Sequence, residues 1–125
     1  MKFTRACREC STEFNTPYRN AQLCSDRCRE VRKVRQDREW REDRVSSNLQ
    51  ILKEYVGGEW KCQDCGTIYP EMRWLDWHHI DPALKVRPVS TLLERVPRIV
   101  MTEAVKCKLL CPNCHRKIHI EMRRK

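Results

Sequence analysis

The sequence predicts a small α+β fold stapled by metal ions rather than by a large apolar core. Three observations lead there. Nine cysteines occur in 125 residues, and eight of them form close pairs: Cys7/Cys10, Cys24/Cys28, Cys62/Cys65 and Cys111/Cys114. Charged residues reach 34% against 40% hydrophobic ones, so the core is thin and needs a staple. Short extended stretches around the pairs alternate with helical ones. The length suits one domain or two very small ones, and three glycines exclude glycine-rich and collagen-like classes. The pattern divides into a knuckle over residues 1–28, a connecting helix over 29–58 and a second module over 59–125. No apolar run approaches the roughly 18–20 residues of a membrane span. Met1-Lys-Phe-Thr-Arg5 lacks the apolar stretch of a secretory signal. A cytoplasmic chain without a membrane partner is expected.

Cysteines two or three residues apart let two thiolates reach one ion about 2.3 Å from each sulfur, and two pairs complete a tetrahedron. Cys7, Cys10, Cys24 and Cys28 would hold one structural Zn²⁺. Cys62, Cys65, Cys111 and Cys114 would hold a second. A disulfide scaffold is the alternative, disfavoured by the odd count and by a reducing compartment. Cys107 reads as a small buried hydrophobe or an alternative ligand. The formal charge is +9. Each Zn²⁺ with four thiolates carries −2, so two sites bring +9 to +5, still a basic protein suited to nucleic acid.

Each element follows in order. Cys7-Arg-Glu-Cys10 is a turn between extended pieces, with Phe14 and Tyr18 near it. Cys24-Ser-Asp-Arg-Cys28 enters a helix with Ser25 as N-cap. From Asp26 to Val56 no proline or glycine interrupts, and Gly57-Gly58 stops the pattern. One long helix is predicted, with a break near Ser46-Ser47. Val45, Leu49, Leu52 and Val56 form an apolar stripe that should pack on the second module. Arg27, Arg29, Arg32, Lys33 and Arg35 read equally as a DNA-facing stripe or as a solvated face held by i, i+4 ion pairs. Trp60-Lys-Cys62-Gln-Asp-Cys65-Gly66 is the second knuckle. A strand is predicted over Met72–Ile80, ended by Asp81-Pro82, with Trp74 and Trp77 as core residues. Thr91-Leu-Leu-Glu94 has the form of a capping box opening a short helix that Pro97 breaks. A helix over about 98–105, a strand over 108–110 and a helix from Pro112 to about Met122 complete the chain.

The histidines are four: His78, His79, His115 and His119. His115 and His119 are spaced i, i+4 and share a helix face. If the strand ending in His78-His79 folds against that helix, three imidazoles can meet around one ion, with a fourth spare. Strict alternation puts His78 and His79 on opposite faces, so both can act only if the strand bends near Asp81-Pro82. Asp76 shares a face with His78 and could orient it or ligate the metal. Lys106, Lys108, Arg116, Lys117, Arg123, Arg124 and Lys125 form a basic tail opposed by one acid, Glu121, and are expected to bind nucleic acid through its phosphates.

Cys62-x-x-Cys65-Gly66, then Leu75-Asp-Trp-His78-His79-Ile80-Asp81-Pro82, then Lys106-Cys107-Lys108-Leu109-Leu110-Cys111-Pro-Asn113-Cys114-His115-x3-His119 resembles the HNH endonucleases, above all the small cysteine-pair type common in phages. The resemblance covers roughly residues 59–122. The knuckle at Cys7–Cys28 is more loosely similar to an accessory zinc module on phage and mobile-element nucleases. The resemblance implies a ββα-metal, treble-clef-like module hydrolysing phosphodiester bonds in double-stranded DNA. His79 would be the general base. His78, His115 and His119 would be ligands of a catalytic divalent ion, Mg²⁺, Mn²⁺ or another, set on the scissile phosphate. The family's middle asparagine would fall at Lys106, and Asn113 either takes part of its role or only caps the helix. A phage-encoded chain would act in the host cytoplasm, as a monomer by default. A non-catalytic zinc-finger protein that binds nucleic acid is the other reading of the same residues.

Overall fold

A computed structural model describes residues 2–124. The chain forms two compact units, residues 1–41 and 42–125. The boundary falls inside one helix, so that helix is no bare linker.

In the first unit, β1 (Phe3–Ala6) and β2 (Glu13–Thr16) pair antiparallel, with Phe3 opposite Thr16. The first knuckle joins them. Helix α1 (Asp26–Tyr55) begins at Ser25, whose Oγ accepts from the Cys28 backbone N–H at 3.2 Å. Arg29 pairs with Asp26, Arg35 with Glu9 and Glu39, and Arg32 with Gln22. These bonds match the solvated, ion-paired reading of that stripe.

The break expected near Ser46-Ser47 is absent: α1 runs through both serines. Asn48 explains why. Its side chain is buried and donates to the backbone carbonyls of Leu93 and Arg95 at 2.7 and 2.8 Å. The helix is thus pinned at the residue that directly follows the serine pair. Leu52 is fully buried beside it, with Leu49 and Val56 packed around the same core.

The second unit builds on that face. β3 (Asp76–His79) and β4 (Cys107–Leu110) pair antiparallel, with Asp76 opposite Leu110 and His79 opposite Cys107. The predicted strand was longer. Met72–Trp74 is instead a 3-10 turn that buries Met72 and leaves Trp74 exposed, so only Trp77 of that pair packs on the core. The capping box at Thr91 does not open a helix either. Val89–Thr91 is a 3-10 turn, and the Thr91 hydroxyl donates back to Pro88 O. Pro97 then starts α2 (Pro97–Ala104) rather than ending a helix, its fixed φ suiting the first helical position. α3 (Pro112–Arg123) closes the unit. Among the described residues no helix is long and apolar enough to cross a membrane.

Candidate metal centres

The two knuckles share one backbone design. In the first, Cys7 N–H donates to Thr12 O and Ser11 N–H to Cys7 O, both at 2.9 Å. In the second, Cys62 N–H donates to Thr67 O at 2.9 Å and Gly66 N–H to Cys62 O at 3.0 Å. Each turn closes on a left-handed residue: Ser11 at φ 64° and Gly66 at φ 77°. Glycine accepts that conformation freely, whereas serine does so against the Cβ–carbonyl clash. The cost is met because the turn must aim both sulfurs inward.

Helix starts supply the remaining sulfurs. Cys24 and Cys28 straddle the first turn of α1. Cys111 is the N-cap of α3, its Sγ accepting from Cys114 N–H at 3.4 Å. Helix N-termini favour anionic sulfur. The donors of Cys7, Cys10, Cys24 and Cys28 lie within 4.8 Å of one another, as do those of Cys62, Cys65, Cys111 and Cys114. Cys10–Cys24, Cys24–Cys28 and Cys65–Cys111 Sγ pairs are 3.6, 3.7 and 3.8 Å apart. A tetrahedron with Zn–S bonds of about 2.3 Å has edges of about 3.8 Å. The donor sets therefore fit structural zinc. Cys107 belongs to neither: it is buried, its Sγ on Glu103 O at 3.3 Å, and burial pushes its thiol up to about 11.

The acid–base chemistry agrees. At Cys7 the amide of Cys10 draws the thiol down to about 6 against burial. At Cys62 burial opposes ionisation, yet the amides of Cys65, Cys111 and Asp64 bring it to about 6. Cys114 moves up to about 12, because the Cys111 sulfur beside it and burial both disfavour another anion. In each cluster two thiols are drawn down (Cys7 and Cys10, Cys62 and Cys65) while one is pushed up (Cys28, Cys114), so a cation is what lets all four ionise together.

A third cluster lies where β3 meets α3. Ligand nitrogens of His78, His115 and His119 fall within 4.8 Å of one another. Their rings stand edge-on, 4.6–5.4 Å between centroids. His115 Nε2 and His119 Nε2 are 3.0 Å apart. Two nitrogens at about 2.1 Å from one ion lie about 3.0–3.4 Å apart, so the pair fits a metal bite. Asp76 faces His115 rather than His78: its Oδ2 sits 3.1 Å from Nδ1. That bond fixes Nδ1 as the protonated nitrogen and leaves Nε2 for a metal. Burial, then the charges of His115 and His119, lower the His78 pKa. A groove of about 440 Å³ opens beside the cluster, with Arg73, Trp77 and Leu93 in its wall.

His79 does not join the cluster. It is buried on the opposite face of β3, its Nε2 2.9 Å from Glu103 Oε2. Glu103 also takes Lys106 Nζ at 2.7 Å on Oε1, and Lys106 reaches Leu84 O at 3.0 Å. Lys106, read above as a phosphate contact, is thus committed inside the fold, and Lys108 pairs with Asp64. Arg116, Lys117, Arg123 and Arg124 are exposed on and just after α3, while Lys125 lies outside the described residues. Asn113 is exposed in the first turn of α3, where Cys111 provides the cap. The sequence reading missed Asn48 and Glu103. An acid three residues before a lysine signals an ordinary surface pair, and nothing local marks it as buried.

Comparison with family models, with curated proteins and with solved structures returns no match to this chain. The geometry alone defines the class: a small α+β protein with two four-cysteine clusters and one three-histidine cluster, each able to hold a metal ion.

Proposed function

We propose that this chain is a metal-dependent DNA endonuclease of the HNH type, with Zn²⁺ in both cysteine clusters. The observation that carries the reading is the convergence of His78, His115 and His119 beside a basic helix. Three protein nitrogens leave coordination positions open, as catalytic rather than structural sites do. The motif order from Cys62 to His119 supports it independently. His78, His115 and His119 would hold a divalent ion, which supplies positive charge for an attacked phosphate. A nitrogen-only donor set favours Zn²⁺ or Ni²⁺ over Mn²⁺ and Mg²⁺, which prefer oxygen ligands.

The remaining steps belong to the chain's own groups. His79, buried on the other face of β3 with Nε2 bonded to Glu103, would take the proton of the attacking water through Nδ1 alone. Asp76 holds the His115 ring in register. Arg116, Lys117, Arg123 and Arg124 contact DNA phosphates. A reducing compartment such as the cytoplasm suits the nine unbridged thiols. The burial of His79 favours one competing reading, a zinc protein that binds nucleic acid without cutting it.

Plasmid incubated with zinc-loaded protein and added Mn²⁺, Ni²⁺ or Mg²⁺ separates the two. Nicking or linearisation that EDTA stops and His119→Ala abolishes is expected. DNA binding without cleavage under every metal would leave only the binding reading.

A further inference from the structure

We propose that Glu103 is a positioning residue that fixes the tautomer of His79, holding its Nε2–H so that Nδ1 keeps the lone pair. The inference rests on the nuclease reading only for its consequence in catalysis; the tautomer itself stands apart from it.

The argument begins with alternation along β3. His78 faces the other imidazoles, so His79 must face inward. There it meets Glu103 Oε2 at 2.9 Å, and the two residues are only 6% and 4% exposed. Water cannot replace that bond. A carboxylate is acceptor-only, and this one is surrounded by donors. Oε1 takes the Lys106 ammonium at 2.7 Å, and Oε2 also lies 3.4 Å from Val86 N–H. Lys106 is itself fixed by Leu84 O at 3.0 Å. Facing that acceptor, Nε2 of His79 must carry the hydrogen. Lys106, with smaller help from His79 and the Val86 amide, outweighs burial and holds the Glu103 carboxyl down at about 2, keeping it an acceptor. An imidazole donating through Nε2 has its lone pair on Nδ1. That nitrogen is then the one able to take a proton from water.

The same donor count predicts what an amide would do. In Glu103→Gln the Lys106 ammonium can bond only to the amide oxygen. The NH₂ group then faces His79, and Nε2 must accept. The tautomer inverts and Nδ1 carries the proton. A carboxylate-to-amide change behind a catalytic imidazole costs on the order of 10⁴ in turnover by this route. Glu103→Gln/Lys106→Met removes the constraint. The amide can turn its oxygen to His79, restoring the Nε2–H form.

Long-range ¹H–¹⁵N correlation spectra of zinc-loaded, ¹⁵N-histidine-labelled protein read the tautomer directly. His79 is assigned as the resonance unmoved when metal fills the three-histidine cluster. We expect Nε2–H in the wild type, Nδ1–H in Glu103→Gln and a return to Nε2–H in the double variant. On plasmid, kcat should fall with the inverted tautomer and recover in part in the double variant, with KM little changed. A wild-type His79 protonated on Nδ1, or a Glu103→Gln spectrum with no inversion, overturns the proposal. If Glu103→Gln fails to fold, the wild-type spectrum alone still decides. Correct tautomers without any cleavage would sink the nuclease reading while leaving the hold of Glu103 on His79 intact.

Discussion

Removing the metal from the second cysteine cluster should unfold the unit that carries the histidines. The buried core there comprises thirteen side chains, of which three are cysteines and only Trp60 is aromatic. A unit of about 84 residues at 0.05–0.15 kcal/mol per residue has a total margin of about 4–13 kcal/mol. Structural zinc contributes about 10–16 kcal/mol of apparent binding free energy near neutral pH. The metal term equals or exceeds the whole margin, so the metal-free unit should have no stable fold. Geometry sharpens the expectation. Cys62 is fully buried, and Cys111 is at once a member of the candidate metal cluster, a core residue and the cap of α3. Losing the ion leaves thiolates crowded beneath the core with no counter-charge.

The assay follows zinc release by a chelator alongside amide hydrogen exchange in β4 and α3. Protection should vanish as the metal leaves, and Cys62→Ser should behave as the chelated wild type. Cys107→Ala is the control: Cys107 is buried but in neither cluster, so this variant should keep two zincs and lose only packing. A chelated chain that still melts cooperatively, with β4 amides protected, would refute the argument that the cysteines are the staple.

The other predictions concern single contacts. Asn48→Ala leaves two carbonyls without their donor and should destabilise the second unit by about 2–4 kcal/mol in thermal melts. Asp76→Asn should weaken metal binding at the three-histidine cluster about 10–100-fold while two zincs remain bound, as titration calorimetry would read. Replacing Arg116, Lys117, Arg123 and Arg124 by alanine should reduce the slope of log K for DNA against log salt by about 3–4. Because the Glu103 carboxyl is held at about 2, below its unfolded value, its contribution is complete above about pH 5. It is lost as pH falls toward 2, so the advantage of wild type over Glu103→Gln should shrink only in that acid range.

Most of the metal chemistry was legible because it depends on short spacings. Two cysteines in a knuckle or two histidines one turn apart face each other whatever surrounds them. The sequence therefore located all three clusters, and the structure assembles them from those residues. What it did not reveal depends on distant partners. The serine pair in α1 looked like a break, but the helix runs through it, and Asn48 beside it reaches carbonyls some 45 residues away. Thr91 and Glu94 had capping-box spacing, yet the Thr91 hydroxyl is already committed to Pro88 O. Lys106 read as surface charge because the burial of Glu103 arises only when α2 packs beneath β4.

The two adjacent histidines show how period-two geometry divides the chemistry. Asp76 and His78 point to the face shared with α3, where Asp76 meets His115 and His78 meets both helical imidazoles. Trp77 and His79 point the other way, Trp77 bonding Met72 Sδ and His79 bonding Glu103. No bend within the strand brings the pair together. The ladder runs one bond further, Ile80 N–H to Lys106 O, and Asp81 then caps the next turn by accepting from Ala83 N–H. His79 is thus the last strand residue, held from within while its neighbour is free to bind metal. The face that gathers a metal can be crowded with nitrogen donors. On the proposed reading, the imidazole that would accept a proton is kept out of that competition by Glu103, which Lys106 in turn holds in place.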